Sequence, residues 1–447
     1  MKASIRSGLA ALAVAAAGFG AAQAFAQSDE IFIPVLPYRT GAYAPNGIPW
    51  ADGFVDYLKL VNERDKGING IKIAFEECES AYATDRGVEC YERLKSKKPV
   101  AYNPLSTGIT YALTEKVPSD KITLFTTGYG RADAVDGSVF AWNFPLLGTY
   151  WDAADILVKH VKTKGPLKGK KIALVYIDIP YGREPIPALE ELSKREGFEL
   201  IKLPVAAPGV EQKATWLQVR QQRPDYVFLW GWGVMNSTAL KEAIAVSYPR
   251  LQMYGVWWSA AEPDVVPADM AAKGYNGLAL GLSSERDLPV HKDIRKFLYD
   301  NNKGTAQSKD EIGSVLYNRG MLSAMLTVES IKAAQAKWGK KVMSGEQVRW
   351  GAEHLNIDAA KMRALGFGDM EPIKTSCSDH AGVHRGRIHT WDGKQWSYTS
   401  DWIEADQKIL RPMIEASAKA YAAEKKITPR DCAKEQKAEG ETKKTQG

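Results

Sequence analysis

The chain has 447 residues, 45% of them apolar and 25% charged. A chain of that length has room for two core-bearing domains, because single cores rarely grow past roughly 250–300 residues, and its charged fraction excludes a disordered or membrane-embedded protein. The net charge of +6, from 59 basic and 53 acidic residues, is spread along the chain and gives no basis for nucleic-acid binding.

The first 26 residues form a secretory signal pattern. Lys2 and Arg6 precede the apolar run Gly8 to Ala17, and the small-residue site Ala24-Phe25-Ala26 follows. The run is too short for a bilayer span of roughly 20 residues, so cleavage is expected after Ala26, with a soluble mature protein in the periplasm. In that oxidising compartment the four cysteines pair. A local Cys78–Cys90 bridge is the first choice, because only twelve positions separate the two. Cys377–Cys432 then staples the polar C-terminal tail to the body.

Along the mature chain, β-rich apolar runs recur at 31–36, 71–75, 122–126, 171–176, 198–205, 226–232, 252–258 and 276–282. Helical periodicity fills many of the gaps, at 48–64, 185–195, 237–247 and 315–338. The helix at 237–247 has Asn236 or Ser237 as its N-cap candidate. Alternating strands and helices predict parallel sheets covered on both faces. The strand count exceeds one such sheet, so an α/β protein of two doubly wound lobes is expected. The first lobe takes 27–145 and 278–370, and the second takes 146–277 and 371–412. Residues 413–447 form an extension with a disordered end, its polar tail starting near Ala433. A late antiparallel hairpin is predicted from Arg387–Trp391, the turn Asp392-Gly393 and Trp396–Trp402.

Catalytic signatures are missing from the sequence: there is no G-x-S-x-G, G-x-x-x-x-G-K-[ST] or H-E-x-x-H. Cys377, His380, His384 and His389 cluster within thirteen residues, yet their spacing fits no standard zinc pattern. Neither an enzyme, a metal nor a cofactor is expected. Ligands of parallel α/β sheets bind beyond the carboxyl ends of strands. Those ends here are rich in small polar and aromatic residues: Tyr38 to Gly47, Asn103 to Gly108, Thr126 to Arg131, Pro180-Tyr181-Gly182, Trp230 to Gly233 and Val256 to Ser259.

The signal pattern, T-G-A-Y-A-P-N-G after the first strand, N-P-L-S-T-G-I-T, T-T-G-Y-G, P-Y-G and D-H-A-G occur in a telling order. The chain resembles a periplasmic substrate-binding protein of an ABC importer, of the branched-chain amino acid (Leu/Ile/Val-binding) class, across nearly all its mature length. The resemblance implies the type I periplasmic binding fold, two lobes joined by a three-strand hinge that close on a small-molecule ligand. It implies a monomer that delivers its ligand to ABC permease subunits. It places the ligand-carboxylate contacts at Ser106 and Thr107, a second set at Gly128, Tyr129 and Gly130, and the second lobe's aromatic at Trp232. Tyr43 or Asn46 contributes from the first-strand loop. Tyr181 belongs to the P-Y-G loop, and Tyr317 and Asn318 are further cleft candidates.

The family's acid that pairs with the ligand ammonium falls on Trp257. An unpaired buried ammonium is costly, so two expectations stand. Either the ligand is an aromatic or other carboxylate, or an amide, that lacks the ammonium, with Arg39 or Arg131 helping to neutralise it. Or Glu262, Glu77 or Glu79 supplies the charge and the ligand is an amino acid. Strand alternation puts Tyr226, Phe228, Trp230 and Trp232 on one face, of which only the last one or two are expected to reach the cleft, Trp232 ahead of Trp230. One of Trp257 and Trp258 is expected there too, and Trp391, Trp396 and Trp402 are read as packing in the late hairpin. A ligand-sensing module of the same fold is the alternative role.

Overall fold

A computed structural model describes residues 30–437, so the signal segment and the last ten residues lie outside the described residues. The strands are β1 (Ile31–Val35), β2 (Ile73–Glu77), β3 (Ala101–Tyr102), β4 (Thr123–Phe125), β5 (Asn143–Phe144), β6 (Lys171–Ile177), β7 (Glu199–Val205) and β8 (Tyr226–Trp230). They continue with β9 (Met253–Gly255), β10 (Asn276–Ala279), β11 (Asn356–Ile357), β12 (Ile373–Lys374), β13 (Arg385–Trp391), β14 (Trp396–Tyr398) and β15 (Ile403–Glu404). Two α/β lobes result. The first holds the parallel pair β1–β2 and the parallel ladder β3–β4–β5. The second is an eight-stranded sheet in the order β14-β13-β10-β9-β8-β6-β7, with β15 on β13. Its β6 to β10 portion is parallel, and β13 to β15 are antiparallel, the late hairpin the sequence predicts.

Helix–helix packing builds the first lobe. Helix Ala44–Asp65 opens with Pro at its first turn and buries Trp50, Phe54, Leu58 and Val61. Helix Val315–Trp338, with the bounds the periodicity predicts, packs against it. Glycine allows this approach: a Cβ on Gly53 would lie 2.0 Å from the Tyr317 carbonyl oxygen, and one on Gly320 would lie 2.0 Å from that of Trp50. Backbone-to-backbone contact of this kind brings residues 317–319 to the cleft side of the lobe.

Several boundaries shift from the sequence expectation. The strand expected over 252–258 ends at Gly255, and Trp257–Ser259 form a 3-10 turn. The strand expected to 232 ends at Trp230, since φ of +60° at Gly233 turns the chain into the next helix. That helix starts at Val234, upstream of the expected cap. The short strands β3 and β5 carry too few residues for a period-2 signal. Helix Gln407–Lys425 is absent from the sequence expectation, and it crosses residue 412 without a break. Residues 432–437 are helical, and the remainder of the expected disordered tail lies outside the described residues.

Both expected disulfides are present, Cys78–Cys90 and Cys377–Cys432. Among the described residues no helix is long and apolar enough to cross a membrane.

Candidate functional site

Ten side chains close around a small cavity of about 20 Å³. Tyr38, Tyr82, Leu105, Ser106, Thr107 and Tyr129 come from the first lobe, and Tyr150, Tyr181, Trp232 and Trp258 from the second.

Local structure explains each placement. Ser106 caps helix Thr107–Thr114, its hydroxyl accepting from the Ile109 amide, so residues 106 and 107 sit at a helix N-terminus. The Tyr129 hydroxyl accepts from the Leu105 amide at 2.9 Å. Tyr181 donates to the Gly231 carbonyl at 2.9 Å, tying two second-lobe loops together. Tyr82 and Leu105 adopt φ of +62° and +41°, and Ala81, beside Tyr82, adopts +49°. Left-handed backbone in bulky residues is costly, and it concentrates where a site over-determines the chain.

The aromatic rings touch in a chain. Trp232 and Trp258 meet edge-on at 5.6 Å, Tyr129 and Trp258 at 5.7 Å, and Tyr38 and Tyr82 at 4.9 Å. Tyr150 and Tyr181 lie 5.3 Å apart. Burial pushes the phenols of Tyr38, Tyr82, Tyr129, Tyr150 and Tyr181 well up, so all five are neutral hydroxyls at neutral pH. The wall is therefore flat, apolar and edged with hydroxyls.

Of the residues the sequence singled out, Ser106, Thr107, Tyr129, Tyr181 and Trp232 line this cavity. Six others lie outside its wall. Tyr43 packs on Tyr82 at 4.8 Å. Asn46 donates to Asp264 at 3.0 Å. Gly130 donates to the Thr107 hydroxyl at 3.4 Å, and Tyr317 donates to Asp56 at 2.7 Å. Gly128 and Trp257 meet each other: the Trp257 Nε1 donates to the Gly128 carbonyl at 2.6 Å. Trp258 donates to the same oxygen at 2.7 Å, and it is Trp258 whose ring reaches the cavity. Trp230 is buried behind, edge-on to Tyr150 at 6.0 Å. Sequence reasoning did not select Tyr38, Tyr82, Leu105 or Tyr150 as site residues, and it named Trp258 as the alternative to Trp257. Tyr38 and Trp258 sat in strand-end segments it did mark, whereas Tyr82 and Tyr150 sit beyond them, on a turn and at a helix start.

No carboxylate is among the lining residues. Glu77 is bound by the Arg39 guanidinium, and Glu79 accepts from the Arg39 amide and the Thr40 hydroxyl. Glu262 accepts from the Val315 amide at 3.1 Å. The candidate cations are engaged as well. Arg39 pairs with Asp52 and Glu77, and Arg131 pairs with Asp133 between the rings of Tyr111, Phe140 and Tyr421. The late cysteine–histidine cluster is dispersed. Cys377 is in its disulfide, His380 faces the Asn143 carbonyl, His384 lies between Asp152 and Asp379, and His389 faces the Ser283 hydroxyl. Among the described residues no group of three or more potential ligands is placed to hold a metal ion.

Two further contacts cross the cleft. Glu184 of the second lobe accepts from the Ala132 amide at 2.9 Å and the Tyr111 hydroxyl at 3.0 Å. Burial, then the nearby Asp133, pushes its carboxyl up to about 8. Asp264 accepts from Asn46 of the first lobe and Asn236 of the second. The lobes are thus closed on one another around the cavity.

The periplasmic binding protein family matches residues 30–395. A crystal structure from the Pseudomonas fluorescens group, described as an ABC transporter permease, shares 43% identity with a TM-score of 0.84, covering 90% of this chain and 99% of its own. A branched-chain amino acid ABC transporter protein from Thermus thermophilus with bound valine shares 20% identity at a TM-score of 0.73, covering 85% and 98%. A solute-binding protein from R. palustris in complex with benzoate shares 16% identity at 0.64, covering 84% and 98%. No curated protein matches the chain. The chain belongs to the periplasmic binding protein family, and these solved relatives of its fold are proteins of ABC transporters.

Proposed function

We propose that this protein is the solute-binding component of an ABC importer, which closes two lobes on a small carboxylate and delivers it to a membrane permease. The lobes divide as the sequence suggests, 27–145 with 278–370 and 146–277 with 371–412, the remainder being a C-terminal extension. The signal pattern at 1–26 places it in the periplasm, and it works as a monomer without catalysis or cofactor. Ser106 and Thr107, at a helix N-terminus, are suited to receive the carboxylate. The ring wall of Tyr38, Tyr82, Tyr150, Trp232 and Trp258 favours a flat, apolar body behind it.

The observation that carries the ligand class is the lining itself: seven aromatic rings and no carboxylate. An amino acid sealed here keeps an ammonium without a counter-charge, which is costly in a closed cleft. An aromatic carboxylate has no such group. Valine and benzoate, the ligands in the two solved structures, differ in this same group. Calorimetric titration with an aromatic acid, a short amide, leucine and valine tests the reading. Tight binding of the aromatic acid is expected, and tight leucine binding with none for the acid overturns it. Small-angle scattering is expected to show compaction on addition of the ligand.

A further inference from the structure

One cation stands apart from the ion-paired arginines of this molecule. Arg319, on helix Val315–Trp338, is 1% exposed. Its Nη1 donates to the Trp257 carbonyl at 2.6 Å, while among the described residues its Nε and Nη2 have no hydrogen-bond partner and no carboxylate forms an ion pair with it. Its guanidinium lies 4.5 Å from the centre of the Trp258 ring, and Trp258 lines the cavity.

Asp264 and Glu262 lie within electrostatic reach of Arg319 and favour its charge, but neither forms an ion pair with it, and burial raises both carboxyls, Asp264 to about 7, which weakens that support. Tyr150 and Tyr181 are neutral phenols on the cavity wall. Asp264 is committed to Asn46, Asn236 and the Ala261 amide. Glu262 accepts from the Val315 amide and lies 3.9 Å from Arg286. Burial holds His389 neutral, near 3. Desolvation lowers Arg319 only to about 10, so it is charged at neutral pH. A buried charge without a partner is expensive, and interactions in a closed, water-poor cleft are strong.

We propose that Arg319 sets the charge preference of the site: acting through the face of Trp258, it selects an anionic ligand over its neutral isostere. The contacts to Trp257 and Trp258 span the two lobes, so closure buries the guanidinium as it seals the cavity, and a ligand anion offsets that cost. Arg319 thus works behind the wall as a specificity-determining residue, with no contact to the ligand required. This inference rests on the aromatic-carboxylate reading above and adds to it the source of discrimination.

The test compares benzoate with benzamide, similar in shape and different in charge, by calorimetry on the full mature chain. The wild-type protein is expected to prefer benzoate by about tenfold or more, a difference of about 1.4 kcal/mol. R319M is expected to bring the two affinities within about threefold of each other, and R319K to retain most of the preference. R319Q, which keeps a donor for the Trp257 carbonyl, serves if R319M does not fold, with the same loss expected. A benzoate-to-benzamide ratio that stays at the wild-type value in the charge-free variant overturns the role of Arg319. So does a wild-type protein that binds both probes equally. Failure of the underlying reading looks different: wild type then binds valine in preference to both probes, or binds neither.

Discussion

The indole N–H of Trp257 reaches across the cleft to the carbonyl oxygen of Gly128, 2.6 Å away. Trp258 donates to that same oxygen at 2.7 Å, so one backbone carbonyl of the first lobe anchors two consecutive side chains of the second. The carbonyl is presented by a residue with φ of +72°, a conformation glycine adopts freely.

Gly128→Ala is therefore expected to impair closure. Its Cβ would fall 2.1 Å from Leu280 Cδ2 and 3.1 Å from Trp257 Nε1, at a backbone angle alanine disfavours. Ligand affinity should drop by about tenfold or more, with a stability loss of about 1–2 kcal/mol. Calorimetry and scattering report this, and unchanged affinity would show that the double anchor is dispensable.

Glu184 makes ligand binding pH-dependent. Closure buries its carboxyl between Tyr111, the Ala132 amide, Arg131 and Asp133, and raises it to about 8. A raised carboxyl favours the closed state while it is protonated, and that advantage falls as pH rises from the ordinary carboxylate range through about 8. Affinity should weaken over that interval, by up to about tenfold for each unit by which closure raises the group. Glu184→Gln should flatten the profile across its upper part. A profile identical to wild type would remove Glu184 from the account.

His384 gives a pH effect of different origin. It faces Asp152 Oδ1 at 3.0 Å and Asp379 Oδ2 at 3.3 Å. Burial opposes its charge, but the two carboxylates prevail and raise it to about 11. The stabilisation is fully present below the ordinary imidazole value of about 6.5 and is lost as pH rises toward 11. Melting temperature should fall by a few °C between pH of about 7 and 10. His384→Gln should start lower and lose much of that slope. Scanning calorimetry across pH decides it.

The Cys377–Cys432 bridge spans a sequence separation of 55 residues and fixes the segment next to Arg430, which pairs with Glu353 and Glu435. Replacing both cysteines with serine should cost about 2–4 kcal/mol. It should also speed proteolysis of the C-terminal segment while leaving ligand affinity within about twofold, because the cavity lining contains none of these residues. A large loss of affinity would tie the tail to the site.

Much of the fold was legible because its signals are local. Alternating apolar runs and amphipathic stretches give strand and helix order, and a twelve-residue spacing nominated Cys78–Cys90. Helix Val315–Trp338 was readable to its ends since 24 residues rich in helix formers pass without a proline. The strands β3 and β5 were not, because two residues carry no period. Helix Gln407–Lys425 carries Pro412 inside it, a residue that speaks against a helix in sequence, and packs its far end on Phe140 through Tyr421.

The sequence by itself determined that the chain alternates strands and helices and that its strand ends carry hydroxyls and indoles. The tertiary structure decided which of those groups share a wall. Tyr82 and Tyr150 reach the cavity from segments with no strand-end signal, and Trp258 takes the place beside Trp257 because residues 257–259 form a turn instead of a strand. Only the folded chain reveals Arg319 as a buried cation with no carboxylate ion-paired to it among the described residues. Periodicity reports which face of an element is apolar. Which polar groups are left to satisfy one another depends on elements hundreds of residues apart meeting in one closed cleft.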